Sequence, residues 1–240
     1  MDFGYKNDVG SVRSLNEDNF LLNNTNDKYT VLAVADGMGG HNAGEVASAD
    51  AIAYLKSYDE STGFSVSIKK RLMECFDAIN TFIYKQSIKS SRFAGMGTTL
   101  TAAIIARGRL YAANVGDSRC YVINNYEIKQ ITRDHSFVEE LVRLGKLTKE
   151  EAKNHPDKNK LMQAMGTEPS VKTDLFTEDL KKGDIVLLCT DGLTNMVDEE
   201  EIKNVLLTSD NVQTAIDTLI AEANRNGGID NITAVAVKIN

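Results

Sequence analysis

The amino-acid sequence predicts an α+β protein in which one sheet packs on another and the helices lie outside. Short runs rich in Val, Ile and Thr, which are typical of strands, occur in antiparallel groups, and two long helical segments follow one another between them. The strict alternation of strand and helix that indicates a parallel sheet does not occur. The 240 residues are expected to form one domain, because neither of the two prolines marks a linker.

The predicted strands are apolar runs bounded by Gly, Asp or Asn. They cover residues 29–35, 98–106, 109–115, 120–124, 184–189 and 233–239. Arg107-Gly108 and Asn124-Asn125 have the composition of tight turns. We therefore predict an antiparallel meander over residues 98–123.

Helical patterns lie between these runs. Residues 43–58 are rich in alanine, and their apolar positions include Val46, Ala49 and Ala53. In residues 66–89 apolar side chains recur with a period near 3.6, which predicts a second helix. The apolar positions of that second helix are Ile68, Leu72, Phe76, Ile79 and Ile83.

Capping residues predict where other helices begin. Ser136 with Glu139, and Thr148 with Glu151, match the capping-box pattern. Asn211 is expected to cap a further helix, which should run to about residue 225 and end at the two glycines that follow.

Composition excludes several classes of function. The chain carries 27 Lys and Arg against 34 Asp and Glu, a net charge of −7, which disfavours nucleic acid as a partner. No signal peptide is evident and no apolar run could span a bilayer, so membrane insertion is not predicted. Cys75, Cys120 and Cys189 lie among apolar residues, as buried free thiols do in a reducing compartment, and we predict a cytoplasmic protein.

Four acidic residues lie where predicted core strands begin or end: Asp36, Asp117, Asp191 and Asp230. Two of them, Asp36 and Asp191, precede a glycine that is expected to permit a sharp turn. Asp117 joins two apolar runs as a hairpin turn would. Each residue alone is more often a structural turn, because Asp and Gly favour turns. If the strands share one sheet edge, however, the four carboxylates would converge.

Converging carboxylates repel one another, and a multivalent cation would offset that repulsion. The candidate ligands are oxygen atoms with no cluster of Cys or His, which favours Mg²⁺ or Mn²⁺ over Zn²⁺. Two such ions about 3.5–4 Å apart can share a carboxylate and activate a bridging water. A metal-assisted hydrolase follows as a hypothesis.

Near the N-terminus, a cation and two carboxylates lie within six residues: Arg13, Glu17 and Asp18. Such a segment is usually a solvated charged turn. Beside a pair of metal ions, however, the planar fork of Arg13 would match the oxygens of a phosphoryl group. The glycines at 37–40 do not predict a nucleotide loop, because no Gly-Lys-Ser/Thr follows them.

These candidates lie in six short motifs that are weak singly but specific in their order and spacing. They are RSLNED (13–18), VADGMGGH (34–41), GMGTT (95–99), NVGDSR (114–119), LCTDGL (188–193) and DNIT (230–233). Over about residues 3–239 the sequence resembles the PP2C-type (PPM) metal-dependent Ser/Thr protein phosphatases, especially the compact bacterial branch. The resemblance implies a four-layer α-β-β-α sandwich of two antiparallel sheets flanked by helix pairs, with a binuclear metal site at one edge.

Carried over position by position, the resemblance implies the metal ligands. Asp36 would bridge two Mn²⁺ or Mg²⁺ ions and the Gly37 carbonyl would bind one of them. Asp191 and Asp230 would hold the other ion. Asp117, with help from Asp191, would form a third, weaker site.

The resemblance also implies roles around the metals. Glu17 and Asp18 would act mainly through bound waters, and Arg13 would bind the substrate phosphoryl group. Asn231 is expected to fix the turn at Asp230. The implied reaction is direct attack of a metal-bridging water on phosphorus, without a phosphoenzyme.

The proton donor for the leaving Ser or Thr oxygen is left open. His41 is the candidate acid, yet three residues separate it from the Asp-Gly pair, whereas the catalytic His of the animal branch follows that pair directly. A metal-bound water is the alternative. His135 is expected to be structural, capping the segment after it, and residues 136–166 match the family's mobile flap.

The expected partners are phosphorylated proteins, including a cognate membrane-anchored Ser/Thr kinase and its substrates, and nothing requires more than a monomer. A non-catalytic relative that binds phosphoproteins is a second hypothesis, but such a protein would be expected to lose Arg13 or one of the three principal aspartates. A carboxylate-pair glycosidase is a third, which the absence of Trp and the 7% aromatic content disfavour.

Overall fold

The computed structural model describes residues 1–39 and 43–240, which form two antiparallel sheets. Strands and helices are numbered in chain order. The first sheet contains, in spatial order, β1 (Asp2–Asp8), β11 (Ile232–Lys238), β10 (Ile185–Cys189), β7 (Arg119–Ile123) and β8 (Ile128–Gln130). The second contains β2 (Asp18–Asn23), β3 (Thr30–Met38), β5 (Leu100–Ala106), β6 (Arg109–Val115) and β9 (Asp174–Asp179), with the short β4 (Gly97–Thr98) paired to the end of β3.

Seven helices accompany the sheets in the described chain. Against the six-stranded sheet lie α1 (Gly44–Ser61) and α2 (Ile68–Ser87). Against the five-stranded sheet lie α5 (Asp191–Thr194), α6 (Glu199–Thr208) and α7 (Val212–Arg225). Between β8 and β9 the chain forms α3 (Phe137–Arg143) and α4 (Lys149–Lys153). The four-layer sandwich predicted from the sequence is confirmed.

The apolar residues of β3 show why the central strands are apolar throughout. Val31 and Ala33 are buried beneath α1 and α2, whereas Leu32 and Val34 are buried between the two sheets. Successive side chains of a strand point to opposite faces, so a strand covered on both faces is apolar at every position. Asp36 lies near the end of β3. Because this strand is packed on both faces, the backbone that carries Asp36 is rigid.

The predictions for the two long helices had different outcomes. In α2 the predicted apolar positions from Leu72 to Ile83 are buried, as expected. In α1 the predicted face is only partly correct: Val46 packs against the core, but Ala49 and Ala53 are exposed while Ala47 and Ala51 are buried. Alanine occurs on several sides of this helix and therefore gives little directional signal.

The predicted meander is only partly correct. Strands β5 and β6 pair as an antiparallel hairpin through Arg107-Gly108, but β7 pairs with β8 and β10 in the other sheet. The segment that contains Asp117 is therefore a crossing between sheets and not the hairpin turn that was predicted. A tight turn and a sheet-to-sheet crossing both require glycine and polar residues, so the local sequence does not separate them.

Several local predictions are confirmed. Ser136 and Asn211 accept hydrogen bonds from Glu139 N and Thr214 N, and Thr148 forms a full capping box with Glu151. All three cysteines are buried and free. None of the helices in the described ranges has the length and apolarity that crossing a membrane requires.

Candidate metal centre and active site

Antiparallel pairing gathers the acidic residues at one edge of the sandwich. In the six-stranded sheet, Asp18 at the start of β2 lies directly opposite Asp36 near the end of β3. In the other sheet, β10 ends just before Asp191, and β11 begins just after Asp230. Because β10 and β11 are antiparallel neighbours, these two ends meet as well. We call this region the acidic edge.

Hydrogen bonds join the two sheets across the acidic edge. Thr190 Oγ1 donates to Asp18 Oδ2 at 2.8 Å and accepts from Thr233 N at 3.0 Å. Glu17 N donates to Asn231 Oδ1 at 2.9 Å. The carboxylates of one sheet are therefore fixed relative to those of the other.

A buried hydroxyl network holds the Asp117 crossing against β3. Thr99 Oγ1 accepts from Asp36 N at 2.9 Å and lies 2.7 Å from Ser118 Oγ. Thr101 Oγ1 donates to Asn114 Oδ1 at 2.6 Å. Asp36 and Asp117 are thus connected through Thr99 and Ser118.

His135 also holds this crossing, which differs from its predicted role. The helix that follows is capped by Ser136, while His135 N donates to Gly116 O at 2.9 Å and Gly116 N donates to His135 Nδ1 at 3.3 Å. The imidazole Nε2 lies 3.4 Å from Asp174 Oδ2. His135 is therefore structural, as expected, but as an anchor of the residue before Asp117 and not as a cap.

The loop that carries Arg13 is fastened by Asn231. Its side-chain amide donates to Val9 O and to Leu15 O, both at 2.9 Å. Asp230 Oδ1 accepts from Asn231 N at 2.9 Å, and Arg13 Nη2 lies 2.9 Å from Asp230 Oδ2. The Arg13 side chain is half exposed, so it stands at the rim of the acidic edge. Asn231 thus fixes the Arg13 loop in addition to the turn at Asp230.

The glycines that follow Asp36 and Asp191 were predicted to permit sharp turns, and this prediction is wrong. They instead permit a close approach of two backbone segments. Neither has a positive φ, since Gly37 lies within β3 and Gly192 lies in the first turn of α5. A Cβ on Gly37 would lie 2.3 Å from Gly44 O, and one on Gly192 would lie 2.0 Å from Asn231 O. Any larger residue would therefore push apart the segments that carry the carboxylates.

The surroundings of the aspartates at the acidic edge disfavour their ionised forms. Burial raises the pKa of Asp18 to about 7, and burial together with repulsion from Asp230 raises the pKa of Asp191 to about 6. Burial and then the neighbouring Asp18 and Asp191 raise the pKa of Asp36 well above the usual carboxyl range. The pKa of Asp117 is raised for the same reasons, burial first and Asp191 second. A divalent cation would relieve this cost.

The donor atoms at the acidic edge suit hard divalent ions. Asp18 Oδ1 is buried and has no hydrogen-bond partner among the described residues. Over residues 1–39 and 43–240, no three Asp, Glu, Cys or His side chains form a ready ligand set for one ion. Mg²⁺ and similar ions take one or two carboxylates and keep several waters, so a site for such ions needs no such triad. The residues present therefore fit Mg²⁺ or Mn²⁺.

A partly buried ion pair that the sequence did not predict lies behind the Asp117 crossing. Arg119 Nη2 lies 2.7 Å from Asp134 Oδ2, and Arg119 Nη1 donates to Tyr121 Oη at 3.1 Å. Tyr121 Oη in turn donates to Glu199 Oε1 at 3.1 Å. Arg119 follows the Asp117 motif in sequence, but its partners come from other segments and leave no local signal.

The segment predicted as a flap leaves the core beside the acidic edge. Its two ends meet where Phe137 N donates to Lys160 O and Met162 N donates to His135 O, both at 2.8 Å. Further along, Met165 and Thr98 exchange backbone hydrogen bonds of 2.8 and 3.1 Å, and Thr98 pairs with Gly37 of β3. The stem of this segment is thus built onto the same strands as the predicted site.

The structure brings together the Asp, Glu and Arg residues predicted for the site, which are Arg13, Glu17, Asp18, Asp36, Asp117, Asp191 and Asp230. They are linked by the hydrogen bonds, strand pairings and mutual charge effects given above. His41, the predicted acid, lies outside the described residues. No role was predicted for Thr190, Ser118 or Thr99. Thr190 and Ser118 are next to motif aspartates in the sequence, and Thr99 ends the GMGTT motif, but nothing else in the sequence marks them.

Comparison with known proteins agrees with this architecture. A family model described as protein phosphatase 2C matches residues 7–148. The serine/threonine phosphatase stp of Listeria monocytogenes serotype 4b (strain F2365) is 42% identical over 237 residues, which cover 98% of this chain and 94% of that protein.

Solved structures are similar over almost the whole chain. Serine/threonine phosphatase Stp1 from Staphylococcus aureus superposes with a TM-score of 0.94 at 39% identity, covering 100% of this chain and 96% of that one. The catalytic domain of PstP in complex with 2 manganese ions has a TM-score of 0.87 at 37% identity, covering 99% and 98%. A sandwich with such an acidic edge defines a metal-dependent hydrolase. The chain belongs to the protein phosphatase 2C family, whose members are metal-dependent serine/threonine protein phosphatases.

Proposed function

We propose that this protein hydrolyses phosphoserine and phosphothreonine on proteins with the help of Mn²⁺ or Mg²⁺. The observation that carries the proposal is the set of five partly or fully buried aspartates at one edge of the sandwich. Asp18, Asp36, Asp117 and Asp191 have a raised pKa, and Asp230 has an adjacent cation. Carboxylates with raised pKa values that gather in one place are typical of functional sites. Family membership supplies the class of reaction.

The proposed ligand set comprises two principal ions and a weaker third. Asp36 would hold both principal ions, the Gly37 carbonyl would hold the first, and Asp191 and Asp230 would hold the second. Asp117 with Asp191 would provide the third site. Glu17 and Asp18 would act through waters, which agrees with the buried Oδ1 of Asp18, an atom without a hydrogen-bond partner in the described part of the chain.

When bound, the metal ions lower the pKa of a coordinated water and offset negative charge on the phosphoryl oxygens. The chain's own residues perform the positioning. Arg13 stands at the rim, where its guanidinium can turn from Asp230 to a phosphoryl oxygen, a charge-assisted contact that Arg makes bidentately. Asn231 keeps that loop in place. His41 is the proposed acid for the leaving oxygen, with a water as the alternative.

The whole chain, residues 1–240, acts as a single phosphatase domain in this proposal, with residues 136–166 as a flap beside the site. We place the enzyme in the cytoplasm as a monomer that opposes a Ser/Thr kinase. The Streptococcus pneumoniae protein phosphatase PhpP, 36% identical over 244 residues, and the stp relatives support phosphoproteins as substrates.

The test is hydrolysis of a phosphothreonine peptide during titration with Mn²⁺ and Mg²⁺, repeated with EDTA. Asp191→Asn is the site variant, and Asp210→Asn, an exposed residue between α6 and α7, is the matched control. We expect turnover only with metal, lost in the site variant and kept in the control. Absence of turnover at saturating metal, with Mn²⁺ binding seen by calorimetry, would overturn the proposal in favour of a binding role.

A further inference from the structure

A cavity of about 590 Å³ opens at the end of the sandwich opposite the acidic edge. It lies between the start of α2 and the turn that joins β5 to β6, with the turn before β3 beside it. Five cationic side chains line it: Lys28, Lys69, Lys70, Arg107 and Arg109. We call it the basic cavity.

The charge of the basic cavity is opposite to that of the molecule. The chain has a net charge of −7, yet none of the described residues that line the cavity is acidic. Two of the five cations have partners, since Arg109 Nε lies 2.6 Å from Asp179 Oδ1 and Lys70 Nζ lies 3.7 Å from Glu74 Oε1. The other three make no salt bridge to any residue the structure describes, so they are available to an anionic ligand.

The basic cavity also offers apolar surface. Its lining includes Val66, which is 55% exposed, together with Ile68, Ala106 and Tyr111. Cationic side chains beside exposed apolar surface suit a peptide segment that carries both acidic and apolar side chains better than they suit a free inorganic anion.

Two backbone outliers coincide with this cavity. In the described part of the chain, Ser67 (φ 52°) and Arg107 (φ 53°) are the only residues other than glycine with a left-handed backbone, and both line the cavity. The φ of Arg107, together with that of Gly108 (71°), is what a two-residue hairpin turn between β5 and β6 requires. The backbone of this turn therefore fixes where Arg107 stands at the cavity.

We propose that the basic cavity is a docking site for an acidic segment of the phosphoprotein substrate, and this rests on the proposed phosphatase function. From Thr30, next to the cavity, to Asp36 at the acidic edge, β3 rises by six residues, or about 20 Å. A substrate must therefore carry its acidic segment at least about six extended residues from the phosphorylated residue. Binding at the cavity raises the effective concentration of the phosphoryl group at the metals.

Acidic side chains next to the cavity favour a short peptide over larger polyanions. Nucleic acid and anionic membranes present charge over an area wider than the cavity, so they would also meet Glu74 and Asp179, which lie within salt-bridge distance of Lys70 and Arg109. A short acidic peptide contacts only the cationic side chains and avoids repulsion from these two carboxylates.

The test uses two phosphothreonine peptides that differ in one feature. One carries a cluster of glutamates about ten residues from the phosphothreonine, and the other carries glutamines there. The site variant is Lys69→Glu/Lys70→Glu; because acidic residues are favourable in the first turn of α2, this variant should fold. Lys181→Glu/Lys182→Glu, at an exposed turn elsewhere, is the control with the same change of charge.

In the unmodified protein we expect KM for the glutamate peptide to be about tenfold lower than for the glutamine peptide, as several exposed ion pairs together allow. The difference should vanish in the site variant, persist in the control and shrink with added salt, while kcat and hydrolysis of p-nitrophenyl phosphate stay unchanged. Equal KM values for the two peptides, or a preference that survives in the site variant, would overturn the docking site.

Failure of the phosphatase function is distinguishable from failure of the docking site. If no substrate, p-nitrophenyl phosphate included, is hydrolysed, the proposed function fails. Fluorescence anisotropy with the labelled glutamate peptide then tests the cavity alone. Binding to the unmodified protein and the control, but not to the site variant, supports the docking site, and equal affinity for all three overturns it.

Discussion

The two ends of the sandwich are formed by the same strands, but carboxylates gather in buried positions at one end and cations in exposed positions at the other. At the acidic edge, carboxylates lie close together in a network of hydrogen bonds, and burial raises the pKa values of Asp18 and Asp191. At the other end, the cations of the basic cavity are exposed and mostly solvated. Burying a charge costs free energy because the charge loses its hydration, whereas a charge at the surface keeps its hydration. We therefore expect substitutions at the acidic edge to alter both activity and stability, and those at the basic cavity to alter only recognition.

The largest difference between the two ends is expected from removing one charge at each. Asp36→Asn removes the proposed shared metal ligand and should lower kcat about a thousandfold, whereas Lys69→Gln at the basic cavity should leave kcat unchanged for p-nitrophenyl phosphate. In EDTA at neutral pH, Asp36→Asn should also raise the Tm, because burial and neighbouring carboxylates make its ionisation costly. Steady-state kinetics and thermal melts measure both effects. A Tm lowered by Asp36→Asn would contradict the electrostatic argument.

A second expected effect is the pH dependence of stability in EDTA. Asp18 and Asp191 release their protons near pH 7 and pH 6 when folded, but near their ordinary value of 3.8 when unfolded. Between these limits the folded chain binds more protons than the unfolded chain, so the free energy of unfolding falls as pH rises. We expect the Tm to drop by about 5–10 °C from pH 5 to pH 8.

Mn²⁺ should remove most of this slope, since bound metal stabilises the ionised carboxylates. Asp18→Asn should flatten the slope in EDTA, and Lys69→Gln should not. A Tm in EDTA that is constant or rises over this range would show that ionisation of these buried, neighbouring carboxylates does not lower the stability of the folded protein.

A smaller effect is expected from adding one methyl group at each end. In Gly192→Ala the new Cβ would lie 2.0 Å from Asn231 O, so the segments carrying Asp191 and Asp230 must move apart. We expect a loss of about 2–3 kcal/mol in the free energy of unfolding, together with weaker Mn²⁺ binding.

The matched substitution is Gly108→Ala in the turn beside the basic cavity. Its Cβ would meet only Leu180 O, at 3.9 Å, so the cost is that of alanine at a φ of +71°, about 1 kcal/mol. Urea denaturation and Mn²⁺ calorimetry compare the two variants. Equal losses of stability, with Mn²⁺ affinity unchanged in both, would refute the role of close packing at Gly192.

The smallest effect concerns His135, the anchor of the Asp117 crossing. His135→Asn keeps an acceptor near the position of Nδ1 for Gly116 N, whereas His135→Gln moves its amide farther out and loses that bond. We expect His135→Gln to weaken the weakest Mn²⁺ site about fivefold, as loss of one hydrogen bond predicts, and His135→Asn to weaken it less. Calorimetric titration with Mn²⁺ measures the difference. Identical affinities for the two variants would mean that this hydrogen bond does not position Asp117.

The strands that the sequence predicts and those that it misses fall into two structural classes. Every predicted strand is an interior strand of its sheet, while the four edge strands, β1, β2, β8 and β9, were not predicted. Interior strands are covered on both faces and are apolar throughout, which makes them visible in the sequence. In edge strands, apolar and polar residues alternate or most residues are polar, as in β9 (DLFTED). The sequences of edge strands therefore resemble those of loops.

At the acidic edge, features that depend on a local motif were predicted, and features that depend on distant partners were not. The Asp-Gly pairs and the RSLNED segment could be found because each motif is local and ends or begins a strand. Thr190, which joins the sheets through Asp18, could not be assigned a role, because its partner lies 172 residues away. The crossing at Asp117 was predicted as a hairpin for a related reason, since the sheet that a strand joins depends on distant partners.

The sequence by itself determined the interior strands, the oxygen ligand chemistry and the family, because these depend on residue types and on the order of short motifs. Only the tertiary structure decided which carboxylates meet, which hydroxyls hold them and where the cations of the basic cavity gather. Arg13 and Asp230 are 217 residues apart in the chain and 2.9 Å apart in the fold. Contacts of that kind arise from packing two sheets together, and no local pattern encodes them.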